Sequence, residues 1–174
     1  MSDQTTTVTP GNLVSLVGDA TAPVGNGPRI LLHCCNDRGA WGAGFVKAIS
    51  VKWPQPEHAY RTWAHNKHTF GLGKIQMVKI PTETDFWVCN LVGQQGLGRD
   101  RNGVPAIRYE ALRMGFKELA KEALEKGATI HAPRLGCDLA GGSWRIVQIL
   151  IEEELLSKGI NFVVYDFLGG SYNP

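Results

Sequence analysis

The chain lacks any apolar run approaching the roughly eighteen residues that a membrane span needs. Its first residues, Met1-Ser2-Asp3-Gln4, have neither the basic nor the apolar region of a signal peptide. A cytosolic protein with no membrane partner is therefore expected. A charge excess is missing too: 18 Lys and Arg against 16 Asp and Glu leave +2. Nothing in that balance supports a surface that coats nucleic-acid phosphates, so any nucleotide must be held in a pocket. Cysteine is scarce, with thiols at 34, 35, 89 and 137 and no Cys-x-x-Cys spacing. Neighbours such as Cys34 and Cys35 rarely bridge each other, which points to reduced, mostly buried thiols. His58, His65 and His68 have neither ligand spacing nor acidic partners, so no metal is expected and they read as surface residues. No internal repeat or low-complexity segment is present.

What remains is the composition of a folded globule: 43% hydrophobic and 20% charged residues over 174 positions. At about 150 residues per domain this is one domain, expected over residues 12–168. Residues 1–11 read as a flexible lead-in and 169–174 as a C-terminal tail. The runs Leu13 to Val17 and Arg29 to Cys34 predict strands buried on both faces. Helices are predicted from Gly44 to Lys52, where Pro54 stops the pattern, and from Glu57 to Asn66. The period then falls to two, and Lys74 to Ile80 with Phe86 to Val92 predict an antiparallel pair. After a loop from Gly93 to Pro105, Leu112, Phe116, Leu119, Ala120 and Ala123 mark the longest helix, which Gly127 ends. Ala128 to Ala132 predicts a strand, Trp144 to Lys158 a helix with Ser143 as N-cap, and Ile160 to Tyr165 the last strand. Alternation of this kind predicts an α/β fold, a three-layer α/β/α sandwich around a mixed sheet.

Glycine is the unusual entry, at 21 residues, and its clusters follow predicted strands. Open α/β sheets collect ligands where loops leave the carboxyl ends of strands. Two such loops, Cys35 to Phe45 and Pro133 to Trp144, are glycine-rich and each opens a helix. Exposed backbone N–H groups, close approach without a Cβ and a positive helix end are what phosphate binding requires, so two facing loops suit a diphosphate. Gly-x-x-x-x-Gly-Lys-Ser/Thr is absent, and Gly39, Gly42 and Gly44 do not make Gly-x-Gly-x-x-Gly. Kinase and dinucleotide-dehydrogenase readings are thereby excluded.

Four motifs in order carry a resemblance. Gly18-Asp19-Ala20-Thr21 comes first, then His33-Cys34-Cys35-Asn36-Asp37 leading into Gly39-Ala40-Trp41-Gly42-Ala43-Gly44-Phe45. Pro133-Arg134-Leu135-Gly136 through Trp144 and Val164-Tyr165-Asp166 complete the set. Over roughly residues 12 to 167 they resemble the macrodomain family, the ADP-ribose-binding fold. Within it the chain looks most like the single-domain bacterial and phage branch, related to terminal ADP-ribose protein glycohydrolases and ADP-ribose-1''-phosphate phosphatases. The resemblance implies that Asp19, beside Ala20, receives the adenine amino group. It places Gly39, Trp41, Gly42, Gly44 and Phe45 around the distal ribose and diphosphate. Gly136, Cys137, Leu139, Ala140, Gly141 and Gly142 would cover the diphosphate from the other side. Tyr165 and Phe167 are the candidates for stacking on adenine, with a core role as the alternative. Asn36 falls where the family has an asparagine on the distal ribose, and His33 where phosphatase-type members have a histidine.

The same resemblance shows departures. Glycohydrolases of the nearest type use a lysine and an aspartate whose places correspond here to Gln94 and Gln95 and to Ala140. Asp138 lies two positions before Ala140. Other family members position a water between the distal ribose and the diphosphate, which demands geometry more than a dedicated base. On that pattern Asn36 and Asp37 orient the ribose, and Asp138 or Gln94 holds the water. An Asp that merely opens its own turn is the alternative for Asp138. The implied activity is hydrolysis of ADP-ribose from acidic side chains of mono-ADP-ribosylated proteins, without metal or cofactor. Dephosphorylation of ADP-ribose-1''-phosphate and non-catalytic ADP-ribose reading are the alternatives. The implied partners are ADP-ribose and an ADP-ribosylated protein or nucleic acid, bound by a monomer.

Overall fold

Short branched and aromatic runs become strands, and longer runs of three-and-four periodicity become helices, with strand and helix alternating over the second half of the chain. The computed structural model describes residues 6–168, so the expected tail and the first five residues of the lead-in lie outside the described residues. The elements are β1 (Leu13–Val17), β2 (Arg29–Asn36), α1 (Phe45–Lys52), α2 (Gln55–Asn66), β3 (Ile75–Lys79) and β4 (Phe86–Gln94). They continue with α3 (Tyr109–Lys126), β5 (Thr129–Pro133), α4 (Trp144–Glu154) and β6 (Phe162–Asp166). One six-stranded sheet runs β1-β6-β5-β2-β4-β3. All neighbours are parallel except β3, which pairs antiparallel with β4 through Met77 opposite Cys89. The expected mixed sheet is therefore present.

Alternation along β2 splits the core in two. Ile30 and Leu32 pack with Leu112, Phe116, Leu119, Val147 and Ile151 of α3 and α4. Leu31 and Cys35 pack on the other face with Ile49, Trp53 and Tyr60, on and beside α1 and α2. Helix α3 comes close to β4 because Gly115 has no Cβ; one would stand 2.5 Å from Leu91 Cδ1. Gly127, at φ 59, ends this helix as its sequence position predicts.

Three expectations are corrected. β1 is not buried on both faces but is a sheet edge paired only with β6, with Val14 44% and Val17 65% exposed. Helix α4 ends at Glu154 rather than Lys158, because the chain tightens into a 3-10 turn over Leu156–Lys158 before Gly159 at φ 83. Gly93 belongs to β4 and not to the following loop. Its missing Cβ admits Cys34 Sγ and Leu112 Cδ2, each 2.7 Å from where that atom would be. Residues 6–11 carry no helix or strand, and Gly11 N donates to Leu156 O at 2.8 Å. Among the described residues no helix is long and apolar enough to cross a membrane.

Candidate functional site

Three central strands, β5, β2 and β4, end side by side, and the loops leaving them enclose a cleft of about 390 Å³. The parallel pairing of β2 with β4 slips between Cys35 and Asn36, so that Asn36 stands opposite Gln94. Both line the cleft, together with His33, Trp41, Gly42, Gly44, Phe45, Gly136, Asp138, Leu139 and Ala140. Half of the sequence-derived site is thus brought to one place.

The β2–α1 loop is held by side chains. Asn36 Oδ1 accepts from Arg38 N (3.0 Å) and Ala40 N (3.1 Å), while its Nδ2 donates to Ala40 O at 2.8 Å. Tyr60 OH, from α2, donates to Asn36 O at 2.6 Å. Trp41 Nε1 donates to Ser50 Oγ (2.7 Å), which donates in turn to Glu57 Oε2 (2.8 Å). Gly39 has φ 73, and a Cβ on it would meet Ala64 Cβ at 2.9 Å. Gly44, at φ 77, occupies the N-cap of α1 and offers no side chain to the first-turn amides. That helix end faces the cleft.

The β5–α4 loop is held by backbone. Gly142 N donates to Gly136 O (2.8 Å), Gly141 N to Asp138 O (3.0 Å), and Ile107 N to Ala140 O (3.1 Å). A Cβ on Gly142 would stand 2.3 Å from Gly136 O, and one on Gly136, at φ 75, would stand 2.6 Å from Ile107 Cδ1. Ser143 sits at the N-cap of α4 without a side-chain cap bond; its N–H goes instead to Tyr109 OH at 2.8 Å. Asp138 and Leu139 project from this closed loop and are exposed. No hydrogen bond to the Asp138 carboxylate exists among the described residues, so it does not shape its own turn. Leu139 reaches across the cleft to within 3.5 Å of the position a Gly44 Cβ would take.

His33 lies at the cleft floor, 2% exposed. Its Nε2 bonds Asn90 Oδ1 at 2.5 Å. Asn90 Nδ2 is committed to Pro56 O and Gln76 Oε1, which fixes Oδ1 as the acceptor and Nε2 as the protonated nitrogen. Burial lowers the His33 pKa to about 4, against the opposing pull of the Asn90 bond. Burial also pushes the thiols up, Cys34 to about 12 and Cys137 to about 11, and Cys35 and Cys89 are raised likewise. At neutral pH the site therefore holds a neutral imidazole and protonated thiols, and the Asp138 side chain makes no hydrogen bond among the described residues.

The remaining sequence-derived residues are not part of the cleft lining. Asp37 faces the loop after β4, its Oδ1 accepting from Gly96 N at 2.8 Å. Asp19 follows β1; Thr21 N (2.8 Å) and Thr21 Oγ1 (2.7 Å) both donate to its Oδ1, and Ala20 is buried beside it. Tyr165 is 3% exposed, accepts from Val24 N at 3.0 Å and bonds His131 Nδ1 at 2.8 Å. Its ring is thus a core ring, whereas Phe167 is 40% exposed. Cys137 Sγ donates to Leu135 O at 3.5 Å.

Two contributions escaped the sequence reading. Tyr60 and Glu57 brace the first loop from α2; the one signal for them in the sequence is the Glu57–Arg61 spacing of four, an ion pair at 2.9 Å in the structure. Leu97 and Gly98 line the cleft from the loop after β4. Asp100 Oδ1 folds the tip of that loop by accepting from Asn102 N (2.8 Å) and Val104 N (2.9 Å). The signal for it in the sequence is its length, from Gly93 to Pro105 with few apolar residues.

No family model matches the chain. A solved macrodomain protein from Streptomyces coelicolor is 42% identical, with TM-score 0.78, over 89% of this chain and 99% of that one. The chromodomain-helicase-DNA-binding protein 1-like of Danio rerio is 29% identical over 90% of this chain, which spans only 16% of that relative's length. The ADP-ribose 1''-phosphate phosphatase of Saccharomyces cerevisiae is 23% identical over 79% of this chain and 89% of that protein. Likeness at 42% identity across nearly the whole of a solved relative, with the two glycine loops closed over the strand ends, shows that the chain belongs to the macrodomain family.

Proposed function

We propose that the cleft binds ADP-ribose and that the protein hydrolyses ADP-ribose from acidic side chains of mono-ADP-ribosylated proteins. The observation that carries this reading is the pair of closed loops, each opening an uncapped helix, with the Asp138 carboxylate unpartnered at the mouth between them. A diphosphate laid along the α1 N-terminus, with the β5–α4 loop as the opposite wall, accepts backbone N–H bonds and gains from that helix dipole, worth about 0.3–1 kcal/mol. The adenine amine donates to Asp19, whose second carboxylate oxygen is left over from the Thr21 bonds. Phe167 supplies the stacking face.

Asn36 acts through the loop it folds, which fixes the anomeric carbon of the distal ribose, and Asp37 acts by anchoring the loop after β4. Asp138 accepts a proton from a water held beside the diphosphate. The water oxygen bonds to the anomeric carbon as the ester C–O bond breaks, and both carboxylate oxygens leave with the glutamate or aspartate. Gln94, which lines the cleft, holds the same water by hydrogen bonding in this reading. His33, neutral and tethered to Asn90, serves as floor rather than acid.

Dephosphorylation of ADP-ribose-1''-phosphate is the second reading, favoured by likeness to the yeast phosphatase over most of its length. Mass spectrometry of ADP-ribose released from a glutamate-modified protein, run beside ADP-ribose-1''-phosphate, separates the two. Release from protein supports the glycohydrolase, whereas phosphate release alone replaces it with the phosphatase. Binding of ADP-ribose with neither product identifies a reader.

A further inference from the structure

At the other end of the sheet, where β2 and β4 begin, a second cavity of about 470 Å³ opens between the loop after β1, the end of α1 and the β3–β4 turn. Its wall carries two cations, Arg29 and Lys52, against Trp53 and Phe86. The Arg29 guanidinium lies 5.7 Å over the Phe86 ring, and its Nη1 donates to Pro23 O at 3.0 Å. Its Nε is buried and has no partner. Lys52 Nζ donates to Thr21 O at 2.7 Å and lies 5.8 Å from the Trp53 ring. Among the described residues neither cation has a carboxylate within 4.0 Å. The one acid of the wall, Glu83, accepts from Trp53 Nε1 at 3.3 Å.

Lys52 complements the dipole at the end of α1, which accounts for its charge without a ligand. Arg29 has no such role. A half-buried guanidinium with an unbonded N–H and no counter-ion is a desolvated charge, and its planar fork of donors matches the oxygens of a phosphate or carboxylate. An oxyanion bridging Lys52 Nζ and the Nη groups of Arg29 supplies the counter-charge through charge-assisted bonds. We propose that this cavity is a second binding site, separate from the ADP-ribose cleft, for the phosphate or carboxylate group of a small anionic ligand. Thr21 is common to both regions, since it bonds Asp19 through its amide and hydroxyl and Lys52 through its carbonyl.

The test is titration of the full chain with inorganic phosphate and, separately, with succinate, following the Trp53 indole N–H by NMR. Each series is run with and without saturating ADP-ribose, which keeps the anion from the main cleft. A saturable Trp53 shift in the millimolar range with either anion is expected, persisting with ADP-ribose present. Lys52→Gln, an exposed change that leaves the fold intact, weakens it about tenfold or more, as does Arg29→Gln. Saturation by phosphate alone, or by succinate alone, names the ligand's anionic group, and saturation by both shows a site for either oxyanion. Absence of a saturable shift with both anions, or an unchanged shift in Lys52→Gln, overturns the proposal.

Discussion

The two loops that flank the cleft reach the same end by opposite means. In the β2–α1 loop, Asn36, Trp41, Tyr60 and Glu57 form a side-chain scaffold, and two of its glycines supply positive φ. In the β5–α4 loop the backbone bonds itself, and Gly136 and Gly142 are required because other atoms occupy the space a Cβ would fill. The contrast bears on the role proposed for Asp138. A loop fixed by side chains has committed its polar groups, whereas a loop fixed by backbone leaves Asp138 free to face the ligand.

Gly142→Ala should be the most damaging change, since the new Cβ would meet Gly136 O at 2.3 Å. Overpacking of this kind costs about 1–3 kcal/mol, and both the melting temperature and ADP-ribose binding should fall. Gly42→Val is the counterpart, because nothing lies within 4 Å of a Cβ there. It should fill the groove and abolish binding by calorimetry while leaving the melt within about 0.5 kcal/mol of wild type. A Gly42→Val protein that binds normally would show that this loop is only a turn.

Acid sharpens the comparison at the cleft floor. His33 is held neutral with its pKa lowered from 6.5 to about 4. Below pH 6.5 the unfolded chain takes up a proton that the folded chain refuses, so stability present above 6.5 is lost as pH falls towards 4. The loss from this residue is about 3 kcal/mol; because burial lowers His131 to about 4 as well, denaturant melts of the wild type beside His33→Asn across that range isolate it. A flat profile contradicts a buried neutral His33.

Asn36→Ala removes the acceptor for Arg38 N and Ala40 N and should cost about 1–3 kcal/mol of stability, with binding falling alongside. Asp19→Ala should weaken ADP-ribose by a similar amount, about 1–3 kcal/mol, and unchanged affinity would remove it from the adenine site. Asp138→Ala should have the smallest effect on the melt, within about 0.5 kcal/mol, since its carboxylate bonds nothing among the described residues. It should slow turnover more than it weakens binding. Equal losses in both would demote it to a binding residue.

Much of this architecture could be read from residue order. Period-two runs gave β3 and β4, the three-and-four repeat ending at Gly127 gave α3, and glycine clusters before helices marked both loops. The edge position of β1 was not legible, because an apolar run describes a strand's composition and not its place in a sheet ordered by long-range pairing. Tyr60 escaped for the same reason: its hydroxyl meets Asn36 across 24 positions, a contact that only the packing of α2 creates. Asp37 and Asn36, adjacent in sequence, diverge because the slip in pairing after Cys35 sends one carboxylate to Gly96 and folds the neighbouring amide into its own turn.

The most direct test is hydrolysis of a glutamate-linked ADP-ribosyl protein in water labelled with heavy oxygen, with mass analysis of the regenerated glutamate residue in the protein and of the released ADP-ribose. Attack on the anomeric carbon, directed by the two loops and Asp138, predicts release with an unlabelled glutamate carboxylate. Label in that carboxylate, or no release by a protein that binds ADP-ribose, would contradict the account.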